Sequence, residues 1–535
     1  KGYALTPQIV KNQDVTAKEF AMVSEMLTDL PGVDITTDFI RSYAYGSTLD
    51  SVFGKVSTSE SGIPSEKVDE FLARGYSRND RIGTSQLEAQ YENVLQGQKA
   101  RVRNVTDTGG NLLHQEKIYD GQRGKDLILS VDMEFQQKVE EILVEEMLQT
   151  RATPSAKARF LDRAFVVVMN PKTGEVLSLA GKQLIRDEED GQLKVYDNAL
   201  GAIQEAYEPG STVKGASVLA GFQHGVIQPD SYLYDAPVYI GRGNDALKKA
   251  SYTNMGSIND LTALERSSNV YMFRIAMAIA GANYQPRQPL FIPPAAYDTF
   301  RSYLAQFGLG VETGIDLPRE SSGVEGTDTS IPGLLLDLSI GQYDTYTTLQ
   351  LAQYVSTIAN GGYRMKPQLV REIREPNNDG EGLGRLVEPF QPQVLNRVDM
   401  SDSHIKRVQD GFIRVYHGSR GTASSSKMKQ YKPAGKSGTA ESRYIEYLPN
   451  GERRSYETLN FNLVGYAPYD DPEIAFAIMV PYASTDFNVT GGISTRIGDA
   501  VMDAYFNLKK ERAKEKPEDV QSDEDTEQNN EEDAE

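Results

Sequence analysis

The residues best suited to chemistry begin with Ser211 and Lys214, three positions apart in a stretch that follows the chain-breaking pair Pro209-Gly210. The residues after Gly210 show helical periodicity, so Ser211 is expected in the first turn of a helix, with Lys214 on the same face. A serine hydroxyl becomes a nucleophile only beside a base. A lysine can be that base when burial or a neighbouring cation lowers its pKa from about 10.4 to roughly 7–8. The spacing therefore predicts a nucleophile and its base in a buried cleft.

The pattern Ser-x-x-Lys is weak by itself, because it recurs at Ser403–Lys406, Ser424–Lys427 and Ser426–Lys429. Taken alone, Ser211 is equally consistent with a helix start beside a solvated lysine. Two further motifs strengthen the chemical interpretation: Ser267-Ser268-Asn269, which begins 56 residues after Ser211, and Lys436-Ser437-Gly438-Thr439, which begins 169 residues after Ser267. Each is bland alone, as helix-end or strand-edge polar groups, but their order makes the set specific.

The composition and the spacing of particular residues argue against several other kinds of functional site. The chain has 535 residues and no cysteine, which excludes disulfides, thiolate metal sites and a cysteine nucleophile. Its four histidines show no metal-ligand spacing, and Gln430 stands where the first glycine of a phosphate-binding loop would precede Gly435-Lys436-Ser437. We therefore expect neither a metal nor a cofactor.

The net charge of −20 is unevenly distributed, because ten acidic residues and no basic ones lie between Pro517 and Glu535. Residues 508–535 are predicted to be an acidic, disordered tail. The acidic balance argues against a nucleic-acid partner. No apolar run approaches the roughly 18 residues of a membrane-spanning helix, and the chain opens without a leader peptide, so we expect a soluble fragment or a processed ectodomain.

The elements that must position these motifs lie at both ends of a long central region. Strands are predicted at residues 164–169, 176–180, 461–465 and 474–480, and a terminal helix at residues 496–508. The region between the strand pairs has helical periodicity. This predicts an α+β fold, with an antiparallel sheet closed by elements distant in sequence and an inserted helical lobe. Residues 1–123 are mixed, with short helices and a hairpin at residues 102–118, and a polar break follows.

The three motifs together resemble the penicillin-recognising serine acyltransferases. Residues 207–210, 307–310, 314–318, 339–342, 358–362 and 462–468 are also similar to segments of that family, and the likeness covers about residues 124–507. Residues 81–92 resemble part of the N-terminal pedestal of class B penicillin-binding proteins. The resemblance implies a pedestal at residues 1–123, a transpeptidase domain at residues 124–507, and an elongation-type enzyme of a Gram-positive bacterium.

The resemblance also implies the role of each motif residue. Ser211 would attack a stem peptide and release its terminal D-Ala, while Lys214 takes the Ser211 proton and Ser267 relays it. Lys436 would keep Lys214 neutral and attract the substrate carboxylate. The remaining expected contacts with substrate come from Asn269, Ser437, Gly438 and Thr439.

Peptidoglycan stem peptides and β-lactam antibiotics are the implied ligands. A membrane-embedded glycosyltransferase and other cell-wall elongation proteins are the implied partners. The catalytic domain is expected outside the cell, with a single-pass membrane anchor that this chain does not include. Three alternatives remain open at this point: a β-lactamase, a β-lactam sensor, and a scaffold that has lost activity.

Overall fold

The computed structural model describes residues 8–27, 29–33, 35, 39–99, 101–106, 112–153, 157–187, 189–377, 382–448, 450–486 and 492–515. The α-helices, in chain order, are α1 Ala17–Glu25, α2 Asp50–Phe53, α3 Val68–Ala73, α4 Gln86–Gln90, α5 Glu92–Leu95, α6 Met133–Arg151, α7 Gly201–Gln204, α8 Lys214–Gln223, α9 Asp260–Glu265, α10 Asn269–Ile279, α11 Ala295–Ala305, α12 Pro332–Leu338, α13 Thr348–Ala359, α14 Asp402–His417 and α15 Ile493–Glu515. Single 3₁₀ turns cover Ser65–Lys67, Gly210–Val213, Gly243–Asp245 and Lys429–Tyr431.

The strands are β1 Arg101–Thr106, β2 Leu112–Tyr119, β3 Asp126–Leu129, β4 Arg163–Met169, β5 Val176–Arg186, β6 Leu193–Asp197, β7 Ala206–Tyr207, β8 Leu233–Asp235, β9 Val238–Ile240, β10 Leu247–Lys249, β11 Gly256–Ile258, β12 Tyr346–Thr347, β13 Tyr363–Met365, β14 Val370–Arg374, β15 Leu386–Pro389, β16 Val394–Arg397, β17 Ala434–Tyr447, β18 Arg453–Ala467 and β19 Ile474–Ser484.

The chain divides into two compact units. The first comprises Lys1–Ser130, Ile315–Glu320 and Gln368–Gln391, and the second comprises the rest. Within the first unit, β1 pairs with β2, and β3 joins the sheet β15-β14-β3. The Asp316 carboxylate holds the later segments of this unit together, because it accepts the backbone N–H groups of Leu369 and Val370 at 2.7 and 2.9 Å and the Tyr91 hydroxyl at 2.8 Å.

The first unit differs from the predicted pedestal at residues 1–123. It runs on to Ser130 and takes in two segments from much later in the chain, because β3 pairs with β14. A prediction that gives each domain one continuous stretch of sequence cannot include these later segments. Antiparallel β1 and β2 form the predicted hairpin, but its proposed loop at residues 108–111 lies outside the described residues.

The second unit is built on a six-stranded antiparallel sheet in the order β17-β18-β19-β4-β5-β6. Late strand β19 lies beside early strand β4, so the predicted closure by elements distant in sequence is confirmed, as is the α+β class. One face of the sheet packs against α6 and α15 in a continuous apolar core that includes Val166, Leu463 and Ile478. On β4, β18 and β19 the sheet also packs against α13, a helix buried along its whole length.

The terminal helix continues beyond its predicted end at residue 508. Helix α15 runs to Glu515, eight residues into the segment predicted as tail. Its last turns are tied to the start of α6, since Arg512 forms ion pairs with Asp132 and Glu134. The remaining predicted tail, residues 516–535, lies outside the described residues. Among the described helices, none combines the length and apolar character that crossing a membrane requires.

Candidate active site

Ser211 lies in the 3₁₀ turn Gly210–Val213, directly before α8. Residues three apart eclipse one another in a 3₁₀ turn, which places Lys214, the first residue of α8, in line with Ser211. The Lys214 backbone N–H donates to the Ser211 carbonyl, which closes the turn. Ser211 is half-buried, whereas Lys214 has no exposed surface. The turn therefore leaves the serine partly exposed and directs the lysine inward.

Two glycines allow strand β17 to lie directly against this turn. A Cβ atom on Gly210 would stand 2.4 Å from the Thr439 carbonyl oxygen, and one on Gly438 would stand 2.6 Å from the Pro209 carbonyl oxygen. Gly210 also has a φ of +56°, which an L side chain rarely adopts. The contact between turn and strand thus depends on the absence of side chains at both positions.

The Lys214 ammonium has three oxygen acceptors from the second motif. Its Nζ donates to the Ser267 carbonyl at 2.8 Å, to Ser267 Oγ at 3.1 Å and to Asn269 Oδ1 at 2.6 Å. Ser267 has a φ of +58°, so its backbone takes the left-handed conformation between α9 and α10. This conformation brings both oxygens of one residue to the same lysine. The first two motifs are therefore in direct contact.

The electrostatic environment disfavours the charged form of Lys214. Burial lowers its pKa well below 10.5, the positive charge of Lys436 lowers it further, and Asp235 raises it. Lys436 is also fully buried, and burial lowers its pKa to about 7. Burial and the nearby Lys436 thus make Lys214 harder to protonate, which is the condition that a lysine base requires.

Strand β17 carries the third motif along the edge of the sheet. Lys436 Nζ donates to the Ser437 carbonyl at 2.8 Å, and the Ser437 hydroxyl lies 2.6 Å from Thr422 Oγ1. Gly438 makes the close approach to the turn described above. The predicted residues of this motif thus lie beside the turn that carries Ser211.

The backbone of β17 faces the turn at Thr439. Glu441 lies two residues after Thr439 on this strand. The side-chain amide of Gln342 accepts the Glu441 N–H at 2.7 Å and donates to the Glu441 carbonyl at 3.1 Å, on the side away from β18. The direction of these groups alternates along an antiparallel strand, so Thr439 points the same way. The short approach of Gly210 to the Thr439 carbonyl agrees with this direction. The Thr439 N–H is therefore available to the cleft.

The segment before Ser211 is held by two amides that the motifs did not reveal. Asn460 and Asn462, both fully buried on β18, donate to the Glu208 carbonyl at 3.4 and 3.0 Å. Asn460 also donates to the Glu208 carboxylate at 3.2 Å. These contacts fix the chain three residues before the serine. An asparagine within a strand gave no sequence signal for such a role.

Three further polar residues support the second motif: Asp235, Ser251 and Ser268. Ser268 caps α10 and accepts the Tyr271 N–H at 3.0 Å. Ser268 occupies the variable position of the Ser-x-Asn motif, so the motif itself assigned it no role. Asp235 and Ser251 stood in no motif, so only the folded chain reveals them. Among the described residues, no cluster of histidine, aspartate or glutamate side chains is arranged to hold a metal ion.

Comparison with known proteins places this chain in a family. The model of the penicillin-binding protein transpeptidase domain matches residues 164–503, and that of the penicillin-binding protein dimerisation domain matches residues 1–129. Penicillin-binding protein 2A of Bacillus subtilis is 52% identical over 515 residues, which are 96% of this chain and 70% of that protein.

Two further comparisons extend this result. The structure of penicillin-binding protein 2B from Streptococcus pneumoniae strain R6 superposes with a TM-score of 0.78 at 34% identity, covering 94% of this chain and 78% of that one. The peptidoglycan D,D-transpeptidase MrdA of Escherichia coli is 27% identical over 478 residues, 84% of this chain and 69% of that protein.

The chain therefore belongs to the penicillin-binding protein transpeptidase family. Its N-terminal dimerisation domain followed by a transpeptidase domain is the class B arrangement that the sequence predicted. The match to MrdA agrees with the elongation type, and the two Gram-positive relatives agree with the predicted origin. It is an enzyme of the serine transpeptidase kind, and the lactamase, sensor and scaffold alternatives are not favoured.

Proposed function

We propose that the enzyme crosslinks peptidoglycan stem peptides through an acyl-enzyme on Ser211, with release of the terminal D-Ala. One observation carries the assignment of residues. Lys214 is fully buried, lies one 3₁₀ turn after Ser211, and contacts Ser267 and Asn269 of the second motif. Nothing in the packing of a helix start requires that convergence.

Lys214 is the base that accepts the Ser211 proton. Its pKa is lowered by burial and by Lys436, so the neutral amine is more accessible than that of a solvated lysine. An ammonium has three hydrogens, and the three acceptors around Nζ use them all. A neutral amine instead offers a lone pair, which needs a donor.

Ser267 is the group that can supply that donor. The Ser267 carbonyl only accepts, and the Asn269 amide is fixed as an acceptor because its Nδ2 donates to the Ala250 carbonyl at 3.2 Å. A hydroxyl, in contrast, can rotate and reverse its hydrogen bond. Ser267 therefore passes a proton between Lys214 and the leaving amine, as a relay should.

The third motif binds substrate. Lys436 attracts the terminal carboxylate of the stem peptide, and the Ser437 and Thr439 hydroxyls donate to it, while Gly438 leaves room for the turn. The backbone N–H groups of Ser211 and Thr439 form the oxyanion hole, where each donor stabilises the transition state by roughly 3–4 kcal/mol. Asn269 holds the substrate's peptide bond with its amide.

The direct test of Ser211 is intact mass measured over hours after incubation with benzylpenicillin, on the wild type and on Ser211→Ala. We expect a one-to-one adduct on the wild type and none on the variant, while circular dichroism shows that the variant is folded. An adduct that persists on Ser211→Ala contradicts the assignment. Adduct lifetime checks the reaction class, because rapid loss of the adduct indicates a β-lactamase.

We also propose that the catalytic domain works outside the cell, attached to the membrane, with a membrane glycosyltransferase and other elongation proteins as partners. The support for this is membership of the class B family, together with the match to MrdA. Copurification of the native protein with the membrane fraction, and crosslinking to a polytopic glycosyltransferase there, checks the proposal. Recovery of the native protein in the cytosol contradicts it.

A further inference from the structure

A buried carboxylate lies behind the second motif. Asp235 ends strand β8, and only 2% of its surface is exposed. Its Oδ2 accepts hydrogen bonds from two hydroxyls, Ser268 Oγ at 2.5 Å and Ser251 Oγ at 2.7 Å. A buried carboxylate needs such donors, because an unsatisfied buried charge is costly. The two serines therefore satisfy the aspartate, and the aspartate in turn constrains them.

That constraint sets the direction of the hydrogen bonds between the two serines and the backbone. An ionised carboxylate only accepts, so both hydroxyls must donate to it and are left with lone pairs alone. Ser251 Oγ then accepts the backbone N–H groups of Asn269 and Val270, at 3.0 and 3.1 Å. Ser268 Oγ accepts the N–H of Tyr271 in the same way, at 3.0 Å. The first N–H groups of a helix have no partner within the helix, and here the two serine hydroxyl oxygens are their acceptors.

The start of α10 is also the point that contacts the base. Asn269 is the first residue of this helix, and its Oδ1 lies 2.6 Å from Lys214 Nζ. Ser267, which offers two oxygens to the same lysine, lies two residues before the first turn. Any shift of the helix start therefore moves the acceptors of the base.

We propose that Asp235 is a positioning residue for acylation: through the Ser251 and Ser268 hydroxyls it fixes the start of α10, and so keeps Asn269 and Ser267 against Lys214. This inference rests on the proposed function of Ser211 and Lys214. Asp235 accepts hydrogen bonds from the two serines, and no motif of the sequence contains it.

The charge of Asp235 makes this role separable from a purely electrostatic one. The charged groups that face Lys214 are Lys436 on β17, which lowers its pKa, and Asp235 on β8, which raises it. Removing the aspartate charge therefore favours the neutral, reactive amine. Charge alone predicts unchanged or faster acylation in an Asp235→Asn variant, whereas lost positioning predicts slower acylation.

The experiment measures the acylation of the full chain by benzylpenicillin, with rapid quenching and intact mass. It resolves the limiting rate constant and the half-saturating concentration between pH 5 and 10. In Asp235→Asn the amide oxygen can still accept both hydroxyls, but a neutral oxygen makes these hydrogen bonds roughly half as strong as a carboxylate does, so the two serines are held less firmly. We expect the limiting rate constant to fall about 10- to 100-fold, the range that misplacement of about 1 Å produces. We expect the midpoint of its acid limb to move to lower pH.

Asp499→Asn is the matched control. Asp499, on α15, is also a carboxylate that accepts a serine hydroxyl, Ser426 Oγ at 2.5 Å, and a backbone N–H, that of Lys427 at 2.8 Å. The same substitution there should lower the melting temperature and leave the acylation rate unchanged. Ser251→Ala provides a second test, since it removes one link and keeps the Asp235 charge.

An unchanged limiting rate in Asp235→Asn overturns the proposal, and so does an equal loss in Asp499→Asn. If Asp235→Asn does not fold, Ser251→Ala decides, and wild-type acylation by that variant overturns the proposal. Failure of the proposed function looks different, because the wild type would then form no adduct or Ser211→Ala would keep one.

Discussion

Substituting Gly438 by alanine tests whether the contact between β17 and the turn that carries Ser211 controls the rate of acylation. The added Cβ would stand 2.6 Å from the Pro209 carbonyl oxygen and 2.7 Å from Thr212 Cγ2. Real Cβ contacts almost never fall below 3.0 Å, so strand and turn must separate by at least about 0.4 Å. The nearest atom belongs to the backbone, which cannot rotate away as a flexible side chain would.

The expected cost has two parts. Overpacking at a well-packed contact costs about 1–3 kcal/mol of folding stability. Misplacement of reacting groups by about 1 Å costs about 100-fold in rate, so a shift of roughly half that size should slow acylation about tenfold, or about 1.4 kcal/mol. Because β17 carries both the hydroxyls proposed to bind substrate and a proposed oxyanion donor, we expect the loss mainly in the limiting rate constant.

The assay is the same acylation by benzylpenicillin, with a melting curve for each variant. Gly498→Ala is the control: its new Cβ meets the tips of Leu463 and Ile478 in the core beneath the sheet, at 2.8 and 3.3 Å, and those side chains can adjust. We expect it to acylate at the wild-type rate. Wild-type acylation by Gly438→Ala would refute the reasoning, because it would show that the contact with the turn does not set the geometry of the reaction.

Two other substitutions probe charge. Lys436→Met removes the cation that lowers the pKa of Lys214, so that pKa should rise and the acid limb of the acylation profile should move to higher pH; a midpoint that stays in place contradicts the coupling. Asp132→Ala removes the N-cap of α6, which accepts the Phe135 N–H at 3.2 Å, and should destabilise the fold by about 1 kcal/mol in urea titrations. Arg512 lowers the pKa of Asp132, so this contribution is present above about pH 4 and is lost as the pH falls through the lower, folded-state pKa. A destabilisation that persists below the folded-state pKa would contradict this linkage.

The sequence was sufficient to predict four of the six strands of the large sheet, β4, β5, β18 and β19, and the three motifs, for identifiable reasons. Strand β4 reads as a continuous apolar run, and the Pro209-Gly210 break before a helical pattern marks the turn at Ser211. The roles of Ser211, Lys214 and the other motif residues remain predictions, now supported by their geometry. Their types and order carried the signal because each motif is local.

Sequence reasoning missed a pairing between distant segments of the first unit, and it missed the carboxylate of Asp235. The sheet of the first unit takes β14 and β15 from more than 240 residues after β3, and no local pattern announces that partnership. Asp235 is similar, since an aspartate at the end of a short strand resembles any turn residue. Only folding shows that it is buried and lies next to two serines.

A second buried lysine shows what distinguishes Lys214. Lys182, only 6% exposed, lies 2.6 Å from a carboxylate oxygen of Glu140 and 3.7 Å from one of Asp197. Carboxylates compensate its charge, and the ion pair with Glu140 holds α6 to the sheet. The acceptors of Lys214 are instead a carbonyl, a hydroxyl and an amide, all neutral. Burial alone is common to both lysines. The absence of charge in these three acceptors leaves the desolvation of Lys214 uncompensated, which favours the neutral amine that the proposed base requires.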